Sequence, residues 1–232
     1  MLSAPDIPKK YRPRGIEILH EDADIIIGNK SAGILTVAAL WEKKNTVEEN
    51  LNSYVRKGSP HSKKRVFVVH RLDQATSGIL IFAKSTEVQA YLKDNWKSTE
   101  KTYYAVVHGK LNYKSDIITS HLVEDEDYVV KSTQKDGEGK LAQTEYQVVF
   151  ENSRYSVLKI NLLTGKKNQI RVHLSEAGHP LVGDPKYGAT DKSPHLMLHA
   201  FALTLTHPFK GKRLRAQADV PEYFKKIVDY EF

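Results

Sequence analysis

His70-Arg71-Leu72-Asp73-Gln74-Ala75-Thr76-Ser77-Gly78 sets an imidazole, a guanidinium, a carboxylate and two hydroxyls in one short segment. The apolar runs Val66–Val69 and Ile79–Ala83 on either side read as buried strands. The polar groups between them therefore converge at a sheet edge or in a cleft. A tight turn needs one Asp and one Gly, and this segment carries more than that. An aspartate here can serve as nucleophile or base because it is ionised at neutral pH. A hydrogen-bonded turn or cap is the plainer alternative. A second polar segment, Leu163-Thr164-Gly165-Lys166-Lys167-Asn168-Gln169-Ile170-Arg171-Val172-His173, follows a strand and opens a predicted helix over Gln169–Ala177. Lys166 and Lys167 suit a helix start poorly, because the macrodipole is positive there, and an anion such as phosphate would resolve the mismatch.

The elements that must position these groups are short strands and helices without regular βαβ alternation. Residues 16–37 read as strands around polar turns, with Gly33 at a bend. Thr46 and Glu49 form a capping box for a helix to Arg56 that Gly58 can end, and a second helix covers Thr86–Trp96. Strands follow over Thr102–Val107, Thr144–Phe150, Tyr155–Leu162, Leu196–Leu205 and Arg213–Ala218. A last helix starts at Asp219 and Pro221 and buries Phe224, Ile227 and Val228. The pattern predicts one α+β domain with a mixed, mostly antiparallel central sheet flanked by helices and loops. Its expected extent is 16–232, after a basic N-terminal extension at 1–15.

The 232 residues carry 35 Lys+Arg against 28 Asp+Glu, a net charge of +7, with no cysteine. Without cysteine, disulfide scaffolds, Cys nucleophiles, Fe–S clusters and Cys-ligated zinc are excluded. The positive charge clusters at Lys9–Arg14, Arg56–Arg65 and Lys210–Arg215, which fits phosphate neutralisation or merely solvated loops. Glu124–Asp127 reads as a solvated turn. There is no phosphate-loop, dinucleotide or nucleophile-elbow motif. His195 and His199 in HLMLH lack the Glu of a zinc helix and read as core or surface histidines in a strand. No apolar run spans a bilayer and no signal-peptide core is visible, so a cytoplasmic protein is the expectation.

HRLDQATSG resembles the HRLD-x-x-TSG signature of the RluA-type pseudouridine synthases. Matching segments recur in order from Ile18 to Phe209. They are NKSAG at Asn29–Gly33, Lys101-Thr102-Tyr103-Tyr104-Ala105 to Gly109, and Lys140, Ala142, Thr144 and Tyr146. TGKKNQIRVHL, Gly178-His179-Pro180, Gly183-Asp184, Tyr187-Gly188, Leu198-His199-Ala200 and His207-Pro208 complete them. The resemblance implies isomerisation of uridine to pseudouridine in tRNA or rRNA, with no cofactor and no metal. Asp73 matches the family's catalytic aspartate, attacking C1′ or C6 or promoting a glycal. Arg171 matches the arginine that pairs with it, and Tyr103 the tyrosine that stacks on the base and takes the C5 proton. The three would share one cleft. Ile170 matches the pocket floor, and Arg71 the residue that fills the space left by the flipped nucleotide. His70, Thr76, Lys166, Lys167 and Asn168 complete the expected substrate-binding set.

The family's usual TGR-x-HQIR is altered here: Lys166 and Asn168 replace Arg and His, and Ser31 replaces the proline of NKPAG. Lysine keeps charge but loses the bidentate fork. About 15 residues before the first core strand are too few for the S4-type RNA-binding domain of many relatives. RNA is then expected to be gripped by Lys63, Lys64, Arg65, Lys212 and Arg213, with no membrane and no obligate protein partner. Two other activities fit fewer of these features: an RNA-binding or RNA-folding module with weak isomerase activity, and a base-removing glycosidase using Asp73.

Overall fold

Ser77–Ala83 is buried at every position, as expected of an apolar strand covered on both faces. The computed structural model describes residues 4–57, 59, 61–135 and 137–232. In chain order the first elements are β1 (Ile16–Glu21), β2 (Ile25–Lys30), α1 (Val47–Val55), β3 (Phe67–Val68), β4 (Ser77–Ala83) and α2 (Thr86–Asp94). Then come β5 (Glu100–His108), β6 (Ser115–Glu124), β7 (Val130–Thr133), β8 (Lys140–Glu151), β9 (Tyr155–Leu162) and α3 (Gln169–Glu176). The chain closes with β10 (Leu198–Thr206), β11 (Arg213–Gln217) and α4 (Glu222–Lys225). The class is α+β.

The chain divides into two compact units, one holding the chain up to Thr99 with Ala202–Asp219, the other Glu100–Phe201 with Val220–Phe232. In the first, β2 pairs antiparallel with β1 and with β4, in registers that include Ile16↔Lys30 and Asn29↔Ile79. β3 lies on β4, and β10 forms a hairpin with β11. Ile25, Ile27, Ile79, Ile81, Val88, Leu92 and Leu203 build its core. In the second, β5, β9, β8, β6 and β7 lie side by side in that order, every pair antiparallel, with Tyr103 opposite Ile160. Its aromatic core joins Tyr104, Phe201, Phe224 and Phe232.

Local signals predict the helices well. Thr46 accepts from the Glu49 N–H at 3.2 Å, and Ser85 does the same for Val88. The strands over 144–150 and 155–162 are found within β8 and as β9. Corrections are few. α4 is capped by Pro221 rather than Asp219 and is a single turn. β10 begins at Leu198, so His195 lies before the strand and stacks on Tyr223 instead. Sequence patterning did not predict β6 and β7, because β6 is exposed at most positions and its apolar side chains do not alternate with polar ones. Gly58, proposed as the stop of α1, lies outside the described residues.

Candidate active site

The first unit holds His70, Arg71, Asp73 and Thr76 on the connection from β3 into β4. The segment's backbone is tied on both sides of Asp73. Thr36 Oγ1 accepts the Leu72 N–H at 3.2 Å and donates to the Leu72 carbonyl at 2.9 Å. Gly33, at a φ of 91° that its missing Cβ makes easy, donates its N–H to the Gln74 carbonyl at 2.8 Å. Gln74 Nε2 returns a bond to the Gly33 carbonyl at 3.0 Å. The Thr76 N–H closes a turn on the Asp73 carbonyl at 3.1 Å. His70 stacks on Trp96 at 4.5 Å and its Nε2 accepts the Ile81 N–H. Arg71 is exposed, Asp73 half-buried and Thr76 buried.

Beneath this turn lies a lysine to which the sequence reading assigned no role. Lys30, at the end of β2, is 0% exposed. Its Nζ donates to the carbonyls of Ser31, Ile34 and Gln74 at 2.9, 2.8 and 3.1 Å. Burial pulls its pKa down and the charge of Asp73 pulls part of the way back, leaving it at about 7. The lysine of NKSAG is thus the floor of the HRLD turn.

The second unit holds Tyr103, Ile170, Arg171, Lys166, Lys167 and Asn168. Tyr103 and Ile160 face each other across β5 and β9, and Ile170 is buried on α3. Arg171 makes a two-pronged pair with Asp184, Nε to Oδ2 and Nη2 to Oδ1, both 2.7 Å. Asp184 is only 1% exposed. It follows Gly183, at φ +75°, where a Cβ would stand 2.0 Å from the His195 carbonyl oxygen, so only glycine lets the chain pass. Asn168 occupies the left-handed region at φ 52°, a conformation asparagine tolerates. Its amide donates to the Tyr187 hydroxyl at 2.9 Å and its Oδ1 accepts from Arg171 Nη1 at 3.2 Å. Asn168 therefore braces Arg171, and the Arg171 guanidinium also lies over the Tyr187 ring at 4.9 Å. Lys166 is half-buried at the start of the α3 turn, where its N–H bonds Gln169. Lys167, expected at phosphate, pairs with Glu124 on the surface.

Of the expected RNA-gripping residues, Lys63, Lys64, Arg65, Lys212 and Arg213 are all exposed. Arg65 covers the Phe67 ring at 4.9 Å. Among the described residues, Asp22, Asp24 and His207 bring ligand atoms within 4.8 Å of one another. Their hydrogen bonds disfavour a cation. His207 Nδ1 accepts the N–H groups of Phe209 and Lys210 at 3.4 and 3.2 Å, which assigns the ring proton to Nε2. That Nε2 donates to Asp22 Oδ2 at 2.9 Å, and Lys210 Nζ bonds the same oxygen at 2.7 Å. Burial opposes the charge of Asp22, but Lys210, the Asp24 and Ile25 N–H groups and His207 outweigh it and hold the carboxyl well below the usual range. The group fastens the turn after β1 to the loop after β10. His199 is buried in β10, edge-on to Phe224.

A sequence model described as RNA pseudouridylate synthase matches residues 24–176. An "Uncharacterized RNA pseudouridine synthase YhcT" of Bacillus subtilis is 36% identical over 217 residues, 91% of this chain and 71% of the relative. A "Ribosomal large subunit pseudouridine synthase D" of Borreliella burgdorferi is 34% identical over 198 residues, 82% of this chain and 61% of the relative, so the chain spans less than two thirds of that protein. The solved structure titled "Human RNA Pseudouridylate Synthase Domain Containing 4" matches with a TM-score of 0.76 at 22% identity, over 93% of this chain and 92% of that one. At that identity the structural match speaks for the fold. No helix among the described residues is long and apolar enough to cross a membrane.

Proposed function

The chain belongs to the RNA pseudouridylate synthase family, and from that premise we propose that Asp73 drives the conversion of uridine to pseudouridine in structured tRNA or rRNA. The reaction breaks the N1–C1′ bond, turns the base and joins C5 to C1′. The C5 proton is lost and N1 gains one, so no electrons are transferred and the chemistry calls for no redox cofactor. A stacked, paired uridine hides its glycosidic bond, so the base must leave the helix first. The exposed Arg71 guanidinium, two residues before Asp73, suits the part of filling the vacated space.

The observation that carries this reading is the turn itself. Asp73 is set between two backbone anchors, Thr36 on Leu72 and Gly33 with Lys30 on Gln74. A carboxylate on an immobilised turn loses little freedom on reaching the reacting atom. The Lys30 amine lies beneath the turn, where the charge of Asp73 acts on it. We assign Tyr103 the ring that lies on the uracil and takes the C5 proton. By its match to the family we assign Arg171 the active-site arginine, a permanent positive charge whose orientation Asp184 and Asn168 hold. By the same match we assign uridine binding to His70 and Thr76 in the first unit and to Ile170 and Lys166 in the second. RNA-backbone binding we assign to Lys63, Lys64, Arg65, Lys212 and Arg213.

Tritium release from transcripts labelled at uridine C5 tests the proposal, with tRNA and ribosomal RNA assayed separately. Release is expected from one pool at least, with nucleoside analysis showing pseudouridine. Asp73→Asn, which removes charge with little change of shape, is expected to lower turnover by at least about 10³-fold while RNA affinity stays. Retained turnover would remove Asp73 from the mechanism.

A further inference from the structure

Leu40 and Trp41, at 90% and 77% exposure, are the most exposed large apolar residues of the described chain. Their presentation is ordered. The Ala39 N–H bonds the Glu42 carbonyl at 2.9 Å, which puts Leu40 and Trp41 at the tip of a two-residue reversal. Glu42 Oε1 accepts the N–H groups of Lys44 and Asn45 at 3.0 and 3.1 Å and stiffens the returning limb. The limbs close at their base, where the Val47 N–H bonds Leu35 and the Glu48 N–H bonds Thr36. The loop is thus a short, pre-formed finger with two apolar side chains at its end, which no packing need of the fold explains.

That base is also the anchor of the Asp73 turn, since Thr36 is the residue bonded to both polar groups of the Leu72 backbone. Trp41 stands five residues beyond it, so it lies within about 18 Å of Thr36 even if fully extended. The side chains after the tip, Lys43 and Lys44, are exposed, while the Glu42 carboxylate is engaged by the loop backbone. The charge available at the finger is positive. Two apolar side chains are far too little surface for a stable protein interface, which takes about 800 Å² from each partner. An indole beside lysines matches instead how proteins hold unpaired bases, by stacking on an aromatic ring with cations on the phosphates.

We propose that the Leu40–Trp41 finger stacks on an unpaired base of the RNA flanking the target uridine, with Lys43 and Lys44 on the adjoining phosphates. This rests on the assignment of Asp73 as acting on RNA, and it identifies a determinant of substrate choice: an RNA with an unpaired base near the target. Stacking energy is lost with the ring but largely kept by another ring, so substitutions separate it from simple charge.

The test is RNA affinity and indole fluorescence of the full chain. Trp41→Ala is expected to weaken binding of substrate transcript about tenfold, within the range for one lost base stack, and Trp41→Phe to restore most of it. Single-stranded oligouridine is expected to quench a part of the fluorescence that is missing in Trp41→Phe, and inorganic polyphosphate, which has charge but no bases, is expected not to. Thermal midpoints should be unchanged in both variants. Unchanged affinity in Trp41→Ala, quenching by polyphosphate, a lowered melting point or loss of self-association would each overturn the proposal, the last two by making Trp41 a packing or dimer residue. Asp73→Asn, assayed in parallel, keeps the outcomes apart. Base stacking without pseudouridine formation would sink the assignment of Asp73 alone, and turnover with unaltered Trp41→Ala binding would sink the finger alone.

Discussion

Lys30 and Arg171 are two cations held out of water by opposite means. Lys30, in the first unit, is fully buried and donates to three neutral carbonyls, those of Ser31, Ile34 and Gln74. Arg171, in the second, meets a full negative charge, the buried carboxylate of Asp184, through both prongs of its guanidinium. Dipoles offset only part of the desolvation of a charge, so the lysine holds its proton loosely, at a pKa of about 7. A bidentate carboxylate offsets much more, and a guanidinium does not titrate in this range in any case. The two cations therefore differ in kind as well as in bonding: the lysine beneath the Asp73 turn changes charge near neutral pH, and the Arg171 guanidinium does not.

The contrast breaks most sharply at Asp184. Asp184→Ala leaves the largely buried Arg171 guanidinium without its two-pronged carboxylate, and a loss of about 3–5 kcal/mol in urea unfolding is expected. A loss below about 1 kcal/mol would mean that water or another group takes the carboxylate's place.

At Lys30 the expected effect is a pH dependence. The group's pKa is depressed in the folded chain relative to about 10.4 in the unfolded one, so the unfolded state binds more protons between pH 7 and 10. Stability from this group therefore rises with pH across that window. From pH 7 to 9 the wild-type chain should gain roughly 2 kcal/mol relative to Lys30→Met. Urea midpoints of both proteins at the two pH values measure it, and parallel behaviour would show that Lys30 titrates normally.

Thr36→Val removes one hydroxyl from the anchor of Leu72 and keeps the shape. A loss of about 1 kcal/mol is expected, with turnover falling more than RNA affinity because the turn loosens around Asp73. Equal losses in affinity and turnover would make Thr36 a general support.

Lys167→Ala sets the lower limit. Its pair with Glu124 is on the surface, and a change within about 0.5 kcal/mol is expected in a thermal melt. A larger change would mean that surface charge matters to this fold more than the buried pairs suggest.

The helices and most strands were legible because their causes are local. A cap such as Thr46 to Glu49 spans three residues, and a strand such as β9 shows its burial in its own alternation. The residue types of the HRLD segment were equally legible, since no ordinary turn needs them. What could not be read was the company those residues keep. Asn168, expected at the substrate, also holds Tyr187 and Arg171. Lys167 looked like a phosphate ligand and pairs with Glu124, on a strand that patterning did not reveal. Trp41 carries no local signal, because an indole where apolar Val37–Leu40 gives way to Glu42–Asn45 reads the same whether it turns in or out.

The sequence by itself determined the family, the α+β class and the turn that carries Asp73, because short-range hydrogen bonding and hydrophobic alternation leave their marks on neighbouring residues. Only the tertiary structure decided that Lys30 is buried under that turn, that Asp184 bonds Arg171 through both prongs, and that Asp22 answers His207 from the far end of the chain. Such pairings join residues brought together by strand order rather than by spacing, and desolvation, which makes them strong, exists only once the chain has packed.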